Sequence, residues 1–133
     1  MQPKWVDLNE GNTMNPRKVA IVTGSATGVG AATSLMLAQR GYNLVINYAK
    51  SESEAKQSQA ACTAAGADTL LIQADVADDA QCRAMVQATV ERWARIDALV
   101  NNAGVSTFTG AANWDVLDTQ TFEHILGVNT IGA

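Results

Sequence analysis

The residues with the clearest chemical potential are three glycines. Thr23-Gly24-Ser25-Ala26-Thr27-Gly28-Val29-Gly30 stands between a short apolar run and an Ala- and Leu-rich stretch. Glycines spaced in this way let a chain turn tightly and bring backbone N–H groups up to a phosphate. The start of the following helix adds a partial positive charge. The spacing is G-x-x-x-G-x-G, and no Lys-Ser/Thr follows the last glycine, so a triphosphate-binding P-loop is excluded. Three more places put polar side chains directly after an apolar run. Asn47-Tyr48-Ala49-Lys50-Ser51 offers an ammonium and a hydroxyl that can donate to a phosphate, with no carboxylate before Glu52. Asp75-Val76 and Asn101-Asn102-Ala103-Gly104 hold the matching positions after the third and fourth runs. Metal chemistry is not expected. His124 is the one histidine, and Cys62 and Cys82 form no CxxC pair, which also argues against a disulfide framework.

These groups need elements to position them. Val19-Ala20-Ile21-Val22, Asn43 to Tyr48, Thr69 to Gln73 and Ile96 to Asn101 are apolar runs that recur at regular intervals. Continuous rather than alternating apolar runs mark strands buried on both faces, as in a parallel sheet. The stretches between them read as helices. Val29 to Arg40 ends at Gly41, and a second helix opens with the capping-box spacing Ser51-Glu52-Ser53-Glu54 and stops near Gly66. In a third, Cys82, Met85, Val86, Thr89, Val90 and Trp93 form one apolar stripe, with Asp78 and Gln81 as its capping pair. Strand and helix alternate four times, which predicts an α/β, doubly wound parallel sheet with right-handed crossovers. The fourth strand then lies beside the first, and both end at the crevice where such sheets bind ligands.

Composition narrows the function classes. The chain has 133 residues, 47% of them hydrophobic, and a formal net charge of −4. That balance offers no basic surface for nucleic acid, and no apolar run approaches the roughly 20 residues of a membrane span. The polar N-terminus has no apolar core of a secretory signal, so a cytoplasmic location is expected. Residues 1–15 read as a disordered extension before a dinucleotide-binding domain over 16–133.

The glycine turn resembles the T-G-x-x-x-G-x-G signature of the short-chain dehydrogenase/reductase family, and most of all its 3-oxoacyl-carrier-protein reductase-like members. Asn101-Asn102-Ala103-Gly104 is similar to the family's N-N-A-G, and Val128-Asn129-Thr130-Ile131-Gly132 to its V-N-x-x-G. The resemblance implies a Rossmann fold that binds NAD(P)(H) through Gly24, Ser25, Thr27, Gly28, Val29 and Gly30. It implies further cofactor contacts from Asn47, Tyr48, Lys50, Ser51, Asp75, Val76, Asn102, Ala103 and Gly104, with Asp75 at the adenine. Asn101 is expected to hold the central strands together. Asn129 would be the asparagine of a catalytic tetrad, holding a water in a proton relay. An acidic residue after the second strand would bind a ribose 2′-hydroxyl and repel a 2′-phosphate; Lys50 and Ser51 stand there instead, so NADP(H) is favoured over NAD(H). His124 reads as a surface or packing residue, and the two cysteines as small buried hydrophobes.

The family's catalytic serine and Y-x-x-x-K motif are not found. Tyr42 and Tyr48 are the only tyrosines, and four residues on stand Ile46 and Glu52. The expectation is therefore the N-terminal half of an oxidoreductase acting on a small carbonyl or alcohol substrate, a homo-oligomer when whole. By itself this chain is expected to be inactive. The alternative is a non-catalytic dinucleotide-binding module.

Overall fold

The computed structural model describes residues 17–110 and 113–133, so the extension expected over 1–15 lies outside them. Strands β1 (Lys18–Val22), β2 (Tyr42–Tyr48), β3 (Thr69–Gln73) and β4 (Ala98–Val100) form one parallel sheet in the order β3-β2-β1-β4. Helices α1 (Gly28–Gln39), α2 (Glu52–Ala64) and α3 (Asp79–Trp93) connect them. After β4 come a 3-10 turn at Trp114–Val116 and helix α4 (Thr119–Leu126), which runs on as a π-helical turn over Gly127–Ile131.

The apolar runs become central strands because they are covered twice. Ala20, Val22, Leu44 and Ile46 pack on one face with Ala38 of α1 and Ala55 and Cys62 of α2. Val19, Ile21 and Val45 pack on the other with Met85 and Trp93 of α3. Burying an aliphatic side chain of this size contributes about 1.5–3 kcal/mol, and the alternation of strand side chains supplies both faces at once.

Three local expectations are corrected. The fourth strand is shorter than Ile96 to Asn101, because the residues around it turn to side-chain partners. Asp97 Oδ2 accepts from the Val19 amide at 2.7 Å, and the Asn102 and Ala103 amides both donate to Thr23 Oγ1 at 3.0 Å. Ser51 does not cap α2 with its side chain; with ψ at 65° its backbone leaves the extended geometry that aims a capping hydroxyl at the first turn. The six-residue stripe of α3 splits in two. Met85, Thr89 and Trp93 are buried, while Val86 and Val90 are exposed, since the sheet covers only one row of the helix.

Asp78 does cap α3, accepting from the Ala80 and Gln81 amides. Gln81 returns a bond from Nε2 to Asp78 Oδ2, and its Oε1 accepts from the Asp75 amide at 2.9 Å. The cap of α3 therefore also fixes the chain as it leaves β3.

Candidate functional site

The carboxyl ends of all four strands open into one cleft of about 490 Å³. Its first wall is the turn between β1 and α1. Gly24 has φ of +62°, and a Cβ there would stand 2.8 Å from the Ala103 Cα, so only glycine lets the two loops touch. A Cβ on Gly30 would overlap the Gly24 carbonyl oxygen and lie 2.5 Å from Asn102 Nδ2, which explains how α1 comes so close to the sheet. Gly28 differs. Its φ is +55°, but a Cβ would meet nothing within 4 Å, so this position keeps space open in front of the helix. Thr27 does not cap α1 with its side chain, and the first turn of the helix holds no carboxylate. Its leading N–H groups are thus left for an anion in the cleft.

The turn is held from below by Asn47. This side chain is 1% exposed, accepts from the Gly24 amide at 3.0 Å and donates to the Ala74 carbonyl at 3.0 Å. Its own amide donates to Ser25 Oγ at 2.9 Å, and its carbonyl accepts from the Ser25 amide. One asparagine ties β2 to the glycine turn and to the end of β3. Asn102 does the same from β4: its Nδ2 donates to the Thr23 and Gly24 carbonyls at 2.9 and 3.1 Å. It is Asn102 that holds the central strands, not Asn101. Residue 101 is exposed, because the side chains leaving β4 alternate and 102 is the one directed at β1.

Tyr48, Lys50 and Ser51 line the second wall, after β2. Among the described residues the Lys50 ammonium forms no ion pair, so its charge is available to the cleft. Asp75 and Val76 line the third. Asp75 Oδ1 accepts from the Ala77 amide at 2.9 Å and keeps the loop in a tight turn, leaving the other carboxylate oxygen over. The Cys82 thiol donates to the Val76 carbonyl at 3.4 Å; burial pushes that thiol up, and the carboxylates of Asp79, Asp78 and Asp75 push the same way.

Of the expected contact residues, Gly24, Thr27, Gly28, Val29, Asn47, Tyr48, Lys50, Ser51, Asp75, Val76, Asn102, Ala103 and Gly104 all border this cleft. Ser25 and Gly30 are buried beneath it and act through their neighbours. Asn129 stands on the π-helical turn, where Oδ1 accepts from the Val105 amide at 2.8 Å and Nδ2 donates to the Val105 carbonyl at 2.9 Å. That pair of bonds fastens the helix to the loop following Gly104. Sequence reasoning missed Val105, Val128 and His124, which also border the cleft. The helical spacing of His124 and Val128 was visible, but nothing local said which way α4 faces.

The whole of this arrangement, residues 18–133, matches the family model for short chain dehydrogenases. The chain belongs to the short-chain dehydrogenase family. Its members are oxidoreductases, and the four-stranded Rossmann sheet here is theirs. It is 40% identical over 116 residues to a 3-oxoacyl-[acyl-carrier-protein] reductase of Synechocystis sp., covering 87% of this chain and 46% of that one. A short chain dehydrogenase from Burkholderia cenocepacia, solved in complex with NADP, superposes with a TM-score of 0.79 at 36% identity, covering 86% of this chain and 46% of that one. A family member from Burkholderia phymatum, solved in complex with NAD, gives 0.78 at 30% identity, covering 87% and 40%. This chain spans less than half the length of the first curated relatives it matches.

The residues present fit a dinucleotide. The open space at Gly28, the uncapped start of α1 and the unpaired Lys50 all border one cleft, and that donor set suits a phosphorylated, anionic ligand.

Proposed function

We propose that this chain is the dinucleotide-binding half of an NADP(H)-preferring reductase acting on a small carbonyl or alcohol substrate. The observation that carries this reading is Lys50, with no ion-pair partner among the described residues, beside Ser51 on a wall that lacks a carboxylate at the end of β2. Gly24, Thr27, Gly28, Val29 and Gly30 form the cradle for the pyrophosphate at the start of α1. Lys50 and Ser51 take the 2′-phosphate, with Asn47 and Tyr48 as the supporting floor. Asp75 and Val76 meet the adenine. Asn102, Ala103 and Gly104 pass along the ribose on the nicotinamide side.

Hydride transfer is chemistry that a bound nicotinamide supplies. This chain's own part is to bind, orient and exclude water. Asn129, whose side chain is engaged with the Val105 backbone, would hold a water in the proton relay. The general acid/base tyrosine, its lysine and the serine are not in this sequence, so the 133-residue chain alone is expected to bind cofactor without turnover. No helix among the described residues is long and apolar enough to cross a membrane. The net charge of −4 offers no basic surface for nucleic acid, and the reading includes a cytoplasmic location and a homo-oligomer for the whole molecule.

Calorimetric titration with NADPH and NADH is the test. NADPH is expected to bind at least about tenfold tighter, the worth of one charge-assisted contact. Lys50→Glu is expected to reverse the order. Equal binding of both cofactors, or an unchanged NADPH affinity in Lys50→Glu, would overturn the preference. Absence of binding to either would overturn the site.

A further inference from the structure

The chain has a single histidine, and α4 carries it into the wall of the cleft. His124 lies one helical turn before Val128, and both border the cleft together with Asp75 and Val76. Val128 is 6% exposed, whereas His124 is exposed, so the two form a wall that runs from the floor to the mouth. This wall is held in place. A Cβ on Gly127 would lie 3.7 Å from the Ala77 Cβ, and one on Gly132 would lie 2.5 Å from the Val76 carbonyl oxygen, so the π-helical turn sits directly on the loop after β3. The paired bonds between Asn129 and Val105 fasten it to the loop after β4. His124 is thereby carried just ahead of an anchored turn, on the border of the same cleft as Asp75 and Val76.

We propose that His124 forms a wall of the purine pocket, its ring packing on the base of the bound nucleotide while Val128 supplies the apolar floor. This rests on the reading of the cleft given above and adds a residue to it. A purine needs a flat surface against its face and polar groups at its edge. Imidazole is planar, and stacking on an aromatic side chain does not depend on which base is presented. Asp75 retains one carboxylate oxygen for the edge. A histidine that merely decorates the surface of α4 would leave nucleotide affinity untouched.

The experiment is calorimetric titration of NADPH and of adenosine 2′,5′-bisphosphate into the wild type, His124→Ala and His124→Phe, with circular dichroism to verify folding. His124 is exposed, so both variants are expected to fold. In His124→Ala both ligands are expected to weaken by the same factor, about five- to twentyfold. His124→Phe, which keeps a flat ring, is expected to stay within about twofold of the wild type. Three results would overturn the inference: unchanged affinity in His124→Ala, a loss for NADPH alone, or a loss in His124→Phe as large as in His124→Ala. A wild type that binds neither ligand removes the cleft reading and this inference together. A wild type that binds both, with His124→Ala equal to it, removes this inference only.

Discussion

Two asparagines at the ends of neighbouring strands decide the shape of the cleft. Asn47 and Asn102 each spend their side-chain amides on backbone groups of the glycine turn. A buried amide is effective here because it offers a donor and an acceptor to a turn that cannot complete its own hydrogen bonds. Asn102→Ala strands the Thr23 and Gly24 carbonyls and is expected to cost about 1–3 kcal/mol in denaturant unfolding. Cofactor affinity in that variant should fall as well, whereas Lys50→Glu should leave stability unchanged. At this scale the sequence was legible in part. The motif announced a polar residue at each strand end, but not which of Asn101 and Asn102 turns inward. That depends on where β4 stops, and β4 stops early because Thr23 Oγ1 draws in two amides.

The elements were legible wherever the pattern was long, and misread where one side chain had two uses. Ser51 and Glu54 have capping spacing, yet Ser51 borders the cleft and leaves α2 uncapped; Asp78 caps α3 in full. Ser51→Ala is accordingly expected to leave the melting temperature within about a degree of wild type, while Asp78→Ala lowers it by about three degrees. The start of β1 depends on a charge. The Arg95 guanidinium beside Asp97, together with the Val19 amide, holds the Asp97 carboxyl below the ordinary carboxylate range against the opposing effect of burial. A carboxyl whose pKa is depressed on folding contributes stability that is present above its unfolded value of about 3.9 and lost as the pH falls through the folded value. Acid titration followed by circular dichroism should therefore show wild-type stability level above about pH 4 and falling below it. Asp97→Asn should be less stable at neutral pH and show a shallower acid slope.

At the scale of the molecule, the same topology that gathers the cleft leaves apolar surface uncovered. The order β3-β2-β1-β4 puts β4 at an edge, and Leu99 on it is 57% exposed. Val86 and Val90 on the outer row of α3 are exposed as well. An unpaired strand edge flanked by such residues is a template for association. The 133-residue chain is expected to sediment as concentration-dependent oligomers, and Leu99→Lys to shift it towards monomer. A wild type that remains monomeric across the concentration series would contradict this. The continuous apolar runs forecast the sheet, and the doubly wound topology placed the fourth strand beside the first. They could not forecast that His124 borders the same cleft as Asp75, since that depends on how the turn at Gly127 and Gly132 packs on the loop after β3.

The knot beneath the glycine turn also bears on time. The Gly24 and Ser25 amides are bonded to Asn47, whereas the leading amides of α1 have no such partner among the described residues. Deuterium uptake should be slow at the first two positions and fast just after them, within one continuous loop. On the proposed reading, an arriving phosphate would meet a turn already tied at Gly24 and Ser25, with little ordering left to be done on contact. Association is then set by encounter, and residence by how many of those fast-exchanging hydrogens the ligand quiets.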